Sequence, residues 1–220
     1  MRPDQEFAHL VYHYLCSTGA LREYSSDIRA AFALIREKTG SELFNPSALS
    51  ETVELKVNHS SLDSAADRAL RNLARRYEET LCSQGRKKDG AFYTPIELVR
   101  FIVSKAFNGR ELRGPDGRVT ALDPACGSGL FLLEVLDRLI PKEAAFEQAA
   151  EIVESSIFGV DRDTNAAAAA RLMLQLALLQ HADSPLAEIK LPSLAQNIRA
   201  GNSLLDPSQL SQQGQLFPES

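Results

Sequence analysis

One stretch of this chain narrows the folds open to it. Val119-Thr120-Ala121-Leu122-Asp123 is followed by Pro124-Ala125-Cys126-Gly127-Ser128-Gly129 and then by the apolar Leu130-Phe131-Leu132-Leu133. The first five residues predict a short buried strand that ends in an acid. A loop of small residues follows, and Gly129 to Ile140 predicts a helix. A strand that turns through glycines straight into a helix opens a βαβ unit. Glycine at 127 and 129 lets the backbone approach a ligand closely and take φ values closed to other residues. The helix behind the loop presents free N–H groups and a positive dipole end, which suit a carboxylate. Asp123, at the carboxyl end of the strand, suits an amino group. An amino-acid moiety is therefore a reasonable guest.

The same alternation continues downstream. A further helical segment follows Pro141, and Ile157-Phe158-Gly159-Val160-Asp161 reads as a second strand. Thr164 to Gln180, rich in alanine and leucine, predicts a second crossover helix, and Gln196 to Ala200 a third strand. Strands alternating with helices imply a parallel sheet. Only about three strands are visible, fewer than open sheets of this class normally have. Upstream the texture is helical. Phe7, Leu10, Val11, Tyr14 and Leu15 recur at helical spacing, a second helix is expected from about Ser26 to Lys38 with Gly40 closing it, and a third from about Leu62 to Cys82. In the third, Leu62, Ala66, Leu70, Leu73 and Tyr77 share one face, with Arg68, Arg71, Arg75 and Arg76 largely off it. Thr94-Pro95-Ile96-Glu97 reads as a helix start, with Thr94 as N-cap and Glu97 completing a capping box. The expected fold class is α/β: a partial Rossmann-like sheet behind an α-helical N-terminal region. The expected division is 1–85 for the helical region and 86–220 for the cofactor-binding part.

Composition excludes several classes. The chain of 220 residues is 44% hydrophobic and 24% charged, ordinary for a globular protein. It has no apolar run of the roughly 18 residues that a membrane span needs. The N-terminus lacks a secretory apolar region and cleavage site, so a cytoplasmic location is expected. Cys16, Cys82 and Cys126 form neither a disulfide framework nor a zinc site. Net charge is −5, but residues 86–118 carry 8 basic and 4 acidic side chains. That short segment alone offers the basic surface DNA binding needs, and a solvated charged segment fits it about as well.

Single features leave alternatives open. The Gly-x-Gly-x-x-Gly pattern of dinucleotide binders is absent after Gly129, as is a Gly-Lys-Ser/Thr phosphate loop. Asp161 can accept both ribose hydroxyls of a nucleoside, or it can be a solvated strand-end acid. It lies 38 residues beyond Asp123, where a dinucleotide fingerprint expects about 20. Asn202, in Gly201-Asn202-Ser203-Leu204, can reach an adenine edge or simply form a turn. His9 and His13 are four apart but lack a third ligand, so an amphipathic helix is the better reading. Cys126 has no histidine nearby in sequence and reads as a small residue that fits the loop. No metal site is expected.

Together the motifs become specific. Gly90-Ala91-Phe92-Tyr93-Thr94-Pro95, Asp123 to Leu132, Gly159-Val160-Asp161 and Gly201-Asn202-Ser203-Leu204 resemble, in the same order, adenine-specific DNA methylases of type I and type IIG restriction–modification and related phage-defence systems. The resemblance spans residues 90 to 204 and reaches the helical region only loosely. It implies S-adenosyl-L-methionine as cofactor, bound by a Rossmann-like methyltransferase sheet. It implies that Tyr93, Thr94 and Pro95 close over the methionine end, and that Asp123, Ala125, Cys126, Gly127 and Gly129 bind the methionine moiety. Asp161 is implied to hold the ribose and Asn202 the adenine. The family often has Asp at the last position. Phe131 packs near the cofactor or in the core.

In the resembled family an Asn-Pro-Pro-Tyr/Phe motif grips the flipped adenine, whose amine is a poor nucleophile. This sequence has none. Its only Asn-Pro, Asn45-Pro46-Ser47-Ala48, lies upstream and reads as a loop. No catalytic residue is assigned. The expectation is the cofactor half of an adenine-N6 DNA methyltransferase, truncated before the catalytic motif and inactive alone. Its partners would be double-stranded DNA and a second chain or downstream region supplying the rest. A non-catalytic or split-subunit binding module is one alternative, and a protein-glutamine or small-molecule methyltransferase another.

Overall fold

A computed structural model describes residues 3–18, 20–21, 28–41, 44, 66–83, 94–108 and 118–205. Helices α1 (Pro3–Ser17), α2 (Ile28–Thr39), α3 (Ala66–Ser83) and α4 (Ile96–Phe107) precede the sheet. Then come β1 (Ala121–Asp123), α5 (Leu130–Leu139), α6 (Phe146–Ser156), β2 (Ile157–Asp161), α7 (Thr164–Leu178) and β3 (Ile198–Ala200). The strands pair in parallel in the order β1-β2-β3. Ala121 stands beside Ile157 and Asp123 beside Gly159, while Asp161 stands beside Ala200. That register puts the carboxyl ends of β1 and β2 at one edge, where Asp123 and Asp161 sit.

Helices α5 and α7 pack on each other and on β2. Two glycines set how close they come. A Cβ on Gly129 would lie 3.2 Å from the Ala170 Cα of α7, and one on Gly159 would lie 3.0 Å from Leu132 Cδ1. Leu132 of α5, Leu172, Met173, Leu174 and Leu176 of α7 and Ile157 of β2 are fully buried. The same apolar cluster continues without a break into Phe7, Val11, Leu15, Leu70, Leu73 and Tyr77. The segments on either side of residue 85 thus share one core. Tyr77 is one link between them: its hydroxyl donates to the Asn165 carbonyl at 2.9 Å, while its ring lies edge-on to Phe7 of α1 with centroids 4.8 Å apart.

Most local expectations hold. Helix α2 ends at Gly40, whose φ of +68° and N–H bond to the Arg36 carbonyl at 2.8 Å make a left-handed stop. Leu70, Leu73 and Tyr77 of α3 are buried as their spacing predicts. Three expectations are corrected. Helix α4 begins one residue later than its sequence suggests: Pro95 is the N-cap and no side chain caps it, so the Thr94–Glu97 capping box does not form. Proline's fixed φ places it equally well just outside the helix. Strand β1 is not buried: nothing described pairs with its free edge, and the sheet face that carries Leu122 is open, leaving that side chain 63% exposed. Arg71 is not turned away from the core; it is 10% exposed and forms ion pairs with Glu134 (3.4 Å) and Asp137 of α5. Arg100 of α4 reaches Glu134 from the other side, at 3.7 Å. One buried acid therefore ties α3, α4 and α5 together. The Asn45-Pro46 loop and most of the basic 86–118 segment lie outside the described residues.

Candidate cofactor site

The loop from Pro124 to Gly129 is held over the sheet by its own backbone. The Cys126 N–H donates to the Val160 carbonyl of β2 at 2.9 Å, and the Gly129 N–H to the Cys126 carbonyl at 2.8 Å. Gly127 and Gly129 take φ values of +53° and +90°. A side chain at 129 would be strained by its φ and would strike the α7 backbone. This glycine serves the close approach of two helices as well as the loop.

The acids expected at the strand ends do converge. Asp123 accepts from the Ala125 N–H at 3.0 Å, which folds the first turn of the loop. Asp161 accepts from the Gly127 N–H at 2.8 Å through one oxygen and from the Asp163 N–H at 2.8 Å through the other. The two strand ends are therefore joined through the glycine loop itself. Each carboxylate oxygen has a further lone pair, so both acids keep acceptor capacity for a ligand. Burial is the first cause that raises the Asp123 carboxyl above its ordinary value, and the nearby Asp161 charge adds to it.

Asn202 is exposed, and its side chain folds a turn by accepting from the Leu204 N–H at 3.1 Å. Its neighbour Ser203 donates to the Pro124 carbonyl at 2.8 Å, which brings the segment after β3 against the loop after β1. Ala125 is exposed at the loop surface, while Cys126 is buried and packs beneath it, close to Gly159. Burial, with the charges of Asp123 and Asp161, pushes the Cys126 thiol up to about 12, so it is no nucleophile at neutral pH. Thr94 and Pro95 stand at the start of α4 and make no hydrogen bond to the loop among the described residues. Tyr93 lies outside those residues. An open cleft of about 550 Å³ runs between α4, β1 and α5, where Asp123, Pro124, Ala125 and Phe131 line it with Ile102 and Leu122. Gly127, Asp161 and Asn202 lie outside its lining.

Glu78 of α3 was not foreseen. Its Oε1 accepts from the Ser128 hydroxyl at 2.7 Å and from the Ser128 N–H at 3.4 Å. The same oxygen lies 3.1 Å from where a Cβ on Gly127 would stand. Burial raises its carboxyl above the ordinary value, and the Asp161 and Asp123 charges push the same way. No ion pair reaches Glu78, Asp123 or Asp161 among the described residues. No group of three or more metal-ligating side chains occurs among them either.

A parallel sheet with a glycine loop after its first strand and acids at two adjacent strand ends makes a Rossmann-like unit, here seen in part. The comparisons with known proteins narrow the class. Residues 69–213 match the N-6 DNA Methylase family, and the chain belongs to that family. The match begins within α3, so that helix and its Glu78 are part of the family region. The chain is also similar to a candidate type II restriction enzyme and methyltransferase of Methanocaldococcus jannaschii. The two are 32% identical over 102 residues, which cover 40% of this chain and 9% of that protein. No solved structure matches. No helix among the described residues is long and apolar enough to cross a membrane.

Proposed function

We propose that this chain forms the S-adenosylmethionine-binding half of a DNA adenine-N6 methyltransferase. One observation carries the reading: the Gly127 N–H donates to Asp161, so the glycine loop after β1 and the acid at the tip of β2 form one continuous wall. The donor set suits this cofactor. Glu78, Asp123 and Asp161 lack cationic partners among the described residues, and the ligand brings a sulfonium and an ammonium. In this reading the start of α5 faces the methionine carboxylate and Asp123 its ammonium. Asp161 takes the ribose hydroxyls and Asn202 the adenine edge. Tyr93, Thr94 and Pro95 close over the methionine end, Ala125 and Cys126 shape the loop floor, and Gly127 and Gly129 let the ligand approach. When bound, the cofactor supplies an electrophilic methyl group.

The chain's own residues do not supply the grip on a target base. The 220 residues contain no Asn-Pro-Pro-Tyr/Phe sequence to accept hydrogen bonds from an adenine amine and stack on its ring. The proposal is that a downstream region or a second chain provides that motif and the target-recognition surface. This chain alone is then inactive on double-stranded DNA. The biological setting we infer is a restriction–modification or phage-defence system, and the likeness to a candidate type II restriction enzyme and methyltransferase supports the first of these. Family membership favours DNA over a protein-glutamine or small-molecule acceptor.

Equilibrium dialysis with methyl-labelled S-adenosylmethionine, followed by addition of adenine-containing duplex, tests both halves. Label should be retained by the protein and none transferred. Transfer to the duplex would refute the inactivity, and failure to retain label would refute the site.

A further inference from the structure

We propose that Glu78 is a cofactor-binding residue, the third carboxylate of the site, delivered from the N-terminal helix α3 to the methionine end of S-adenosylmethionine. The inference rests on the cofactor reading above. It also makes α3 a working part of the site rather than an appendage.

The position is specific. Glu78 lies 50 residues before Ser128 in sequence, yet its Oε1 holds both the hydroxyl and the N–H of that residue. Ser128 directly precedes Gly129, the N-cap of α5. The carboxylate thus sits where the helix dipole is positive, beside the loop proposed to hold the amino acid. Tyr77, the preceding residue, anchors α3 from the other direction through its bond to the Asn165 carbonyl at the start of α7. Buried Leu70, Leu73 and Ala74 hold the preceding turns of the helix in the core. The approach of Glu78 is therefore set by packing on two helices of the α/β unit.

A structural role accounts for only part of the charge, since the positive end of α5 favours an anion only modestly. A neutral glutamine could accept the same two hydrogen bonds. The carboxylate stands instead in the field of Asp123 and Asp161, with no Lys or Arg paired to it among the described residues. Like charges gathered without a counter-ion oppose folding. A ligand with positive charge at this point relieves that cost, and the ammonium and sulfonium at the methionine end carry it. Oε2 makes no hydrogen bond among the described residues and is the atom left to meet it.

The test compares two probes on the full chain. S-adenosylmethionine carries the charged amino-acid end, and 5′-methylthioadenosine has the same nucleoside without it. Glu78→Gln should weaken binding of the first by roughly tenfold or more, the size expected when a charge-assisted contact is lost. Binding of the second should stay within about twofold of wild type. Glu78→Asp should recover part of the loss, and the melting temperature of Glu78→Gln should equal or exceed that of wild type. Equal weakening of both probes together with a lower melting temperature would assign Glu78 to packing and overturn the proposal. Unchanged S-adenosylmethionine affinity would overturn it as well, with the cofactor site itself left standing. Wild-type protein that binds neither probe would overturn the cofactor reading and this inference with it.

Discussion

Replacing Gly129 by alanine tests the packing that forms the site, and the structure supplies its own control. Gly129 has a φ of +90°, and a Cβ there would meet the Ala170 Cα and Cβ, each at 3.2 Å. The first of these atoms is backbone of a buried helix and cannot swing aside. Gly40 also has positive φ, +68°, but a Cβ there meets nothing within 4 Å. Both alanines carry the left-handed penalty of roughly 1–2 kcal/mol. Only Gly129→Ala adds the cost of forcing α5 from α7, about 1–3 kcal/mol for overpacking of this kind. Gly129→Ala should therefore be the less stable variant by about 1–3 kcal/mol. For a chain of this length that difference corresponds to a gap of roughly 2–12 °C in melting temperature. Thermal unfolding followed by circular dichroism reads it directly. Equal melting temperatures, or a lower one for Gly40→Ala, would show that α5 and α7 do not meet as described.

Other consequences are as concrete. The Asn197 side-chain amide donates to the carbonyls of Glu154 at 2.8 Å, Ile157 at 3.1 Å and Val153 at 3.3 Å, joining the end of α6 to β2 and β3. Asn197→Ala should cost about 1–3 kcal/mol in urea unfolding, since it strands buried acceptors, and a loss below about 0.5 kcal/mol would contradict that role. Cys126, with its thiol pushed up to about 12, should resist iodoacetamide at pH 8 in the folded protein and react once urea is added; peptide mapping that finds it alkylated without denaturant would refute its burial. Asp123 has a folded pKa raised above its ordinary 3.8, with Asp161 and Glu78 facing it, so the folded chain binds more protons than the unfolded one between those two values. Its charge then costs stability above the raised value and nothing below 3.8. Asp123→Asn should raise the melting temperature at neutral pH, with the gain fading as pH falls through that window; a gain that persists in acid would contradict the assignment.

What could be read from the sequence was what local pattern encodes. The five residues of β2, Ile157 to Asp161, were legible to the residue, because an apolar run between two helical stretches has one good reading. Helix α7 was legible for its length and its alanines, and the loop for its glycines. The exposure of β1 is not legible, because apolar composition alone cannot distinguish a strand covered on both faces from one with an open face. Leu122 looks the same in either setting until the neighbours are known. The capping box at Thr94 failed through a one-residue ambiguity that proline allows. Glu78 was invisible for a different reason. In sequence it is one acid among the charged residues of an amphipathic helix, and its partner is 50 residues away. The adjoining Tyr77-Glu78 pair was the available signal: a buried aromatic fixes the direction in which the next side chain leaves the helix. The Ser203–Pro124 bond, spanning 79 residues, was hidden in the same way.

The central claim is that the loop from Asp123 to Gly129 and the acid at 161 bind S-adenosylmethionine together. Calorimetric titration of the full chain with S-adenosylmethionine, beside Asp161→Ala and Gly127→Val, tests it most directly. The account predicts a single saturable site in the wild type and a loss of roughly tenfold or more in Asp161→Ala, where a charge-assisted contact to the ribose disappears. Gly127→Val should bind more weakly still, because a β-branched residue at a φ of +53° disturbs the loop and presses on Glu78. Three indistinguishable isotherms would contradict the account.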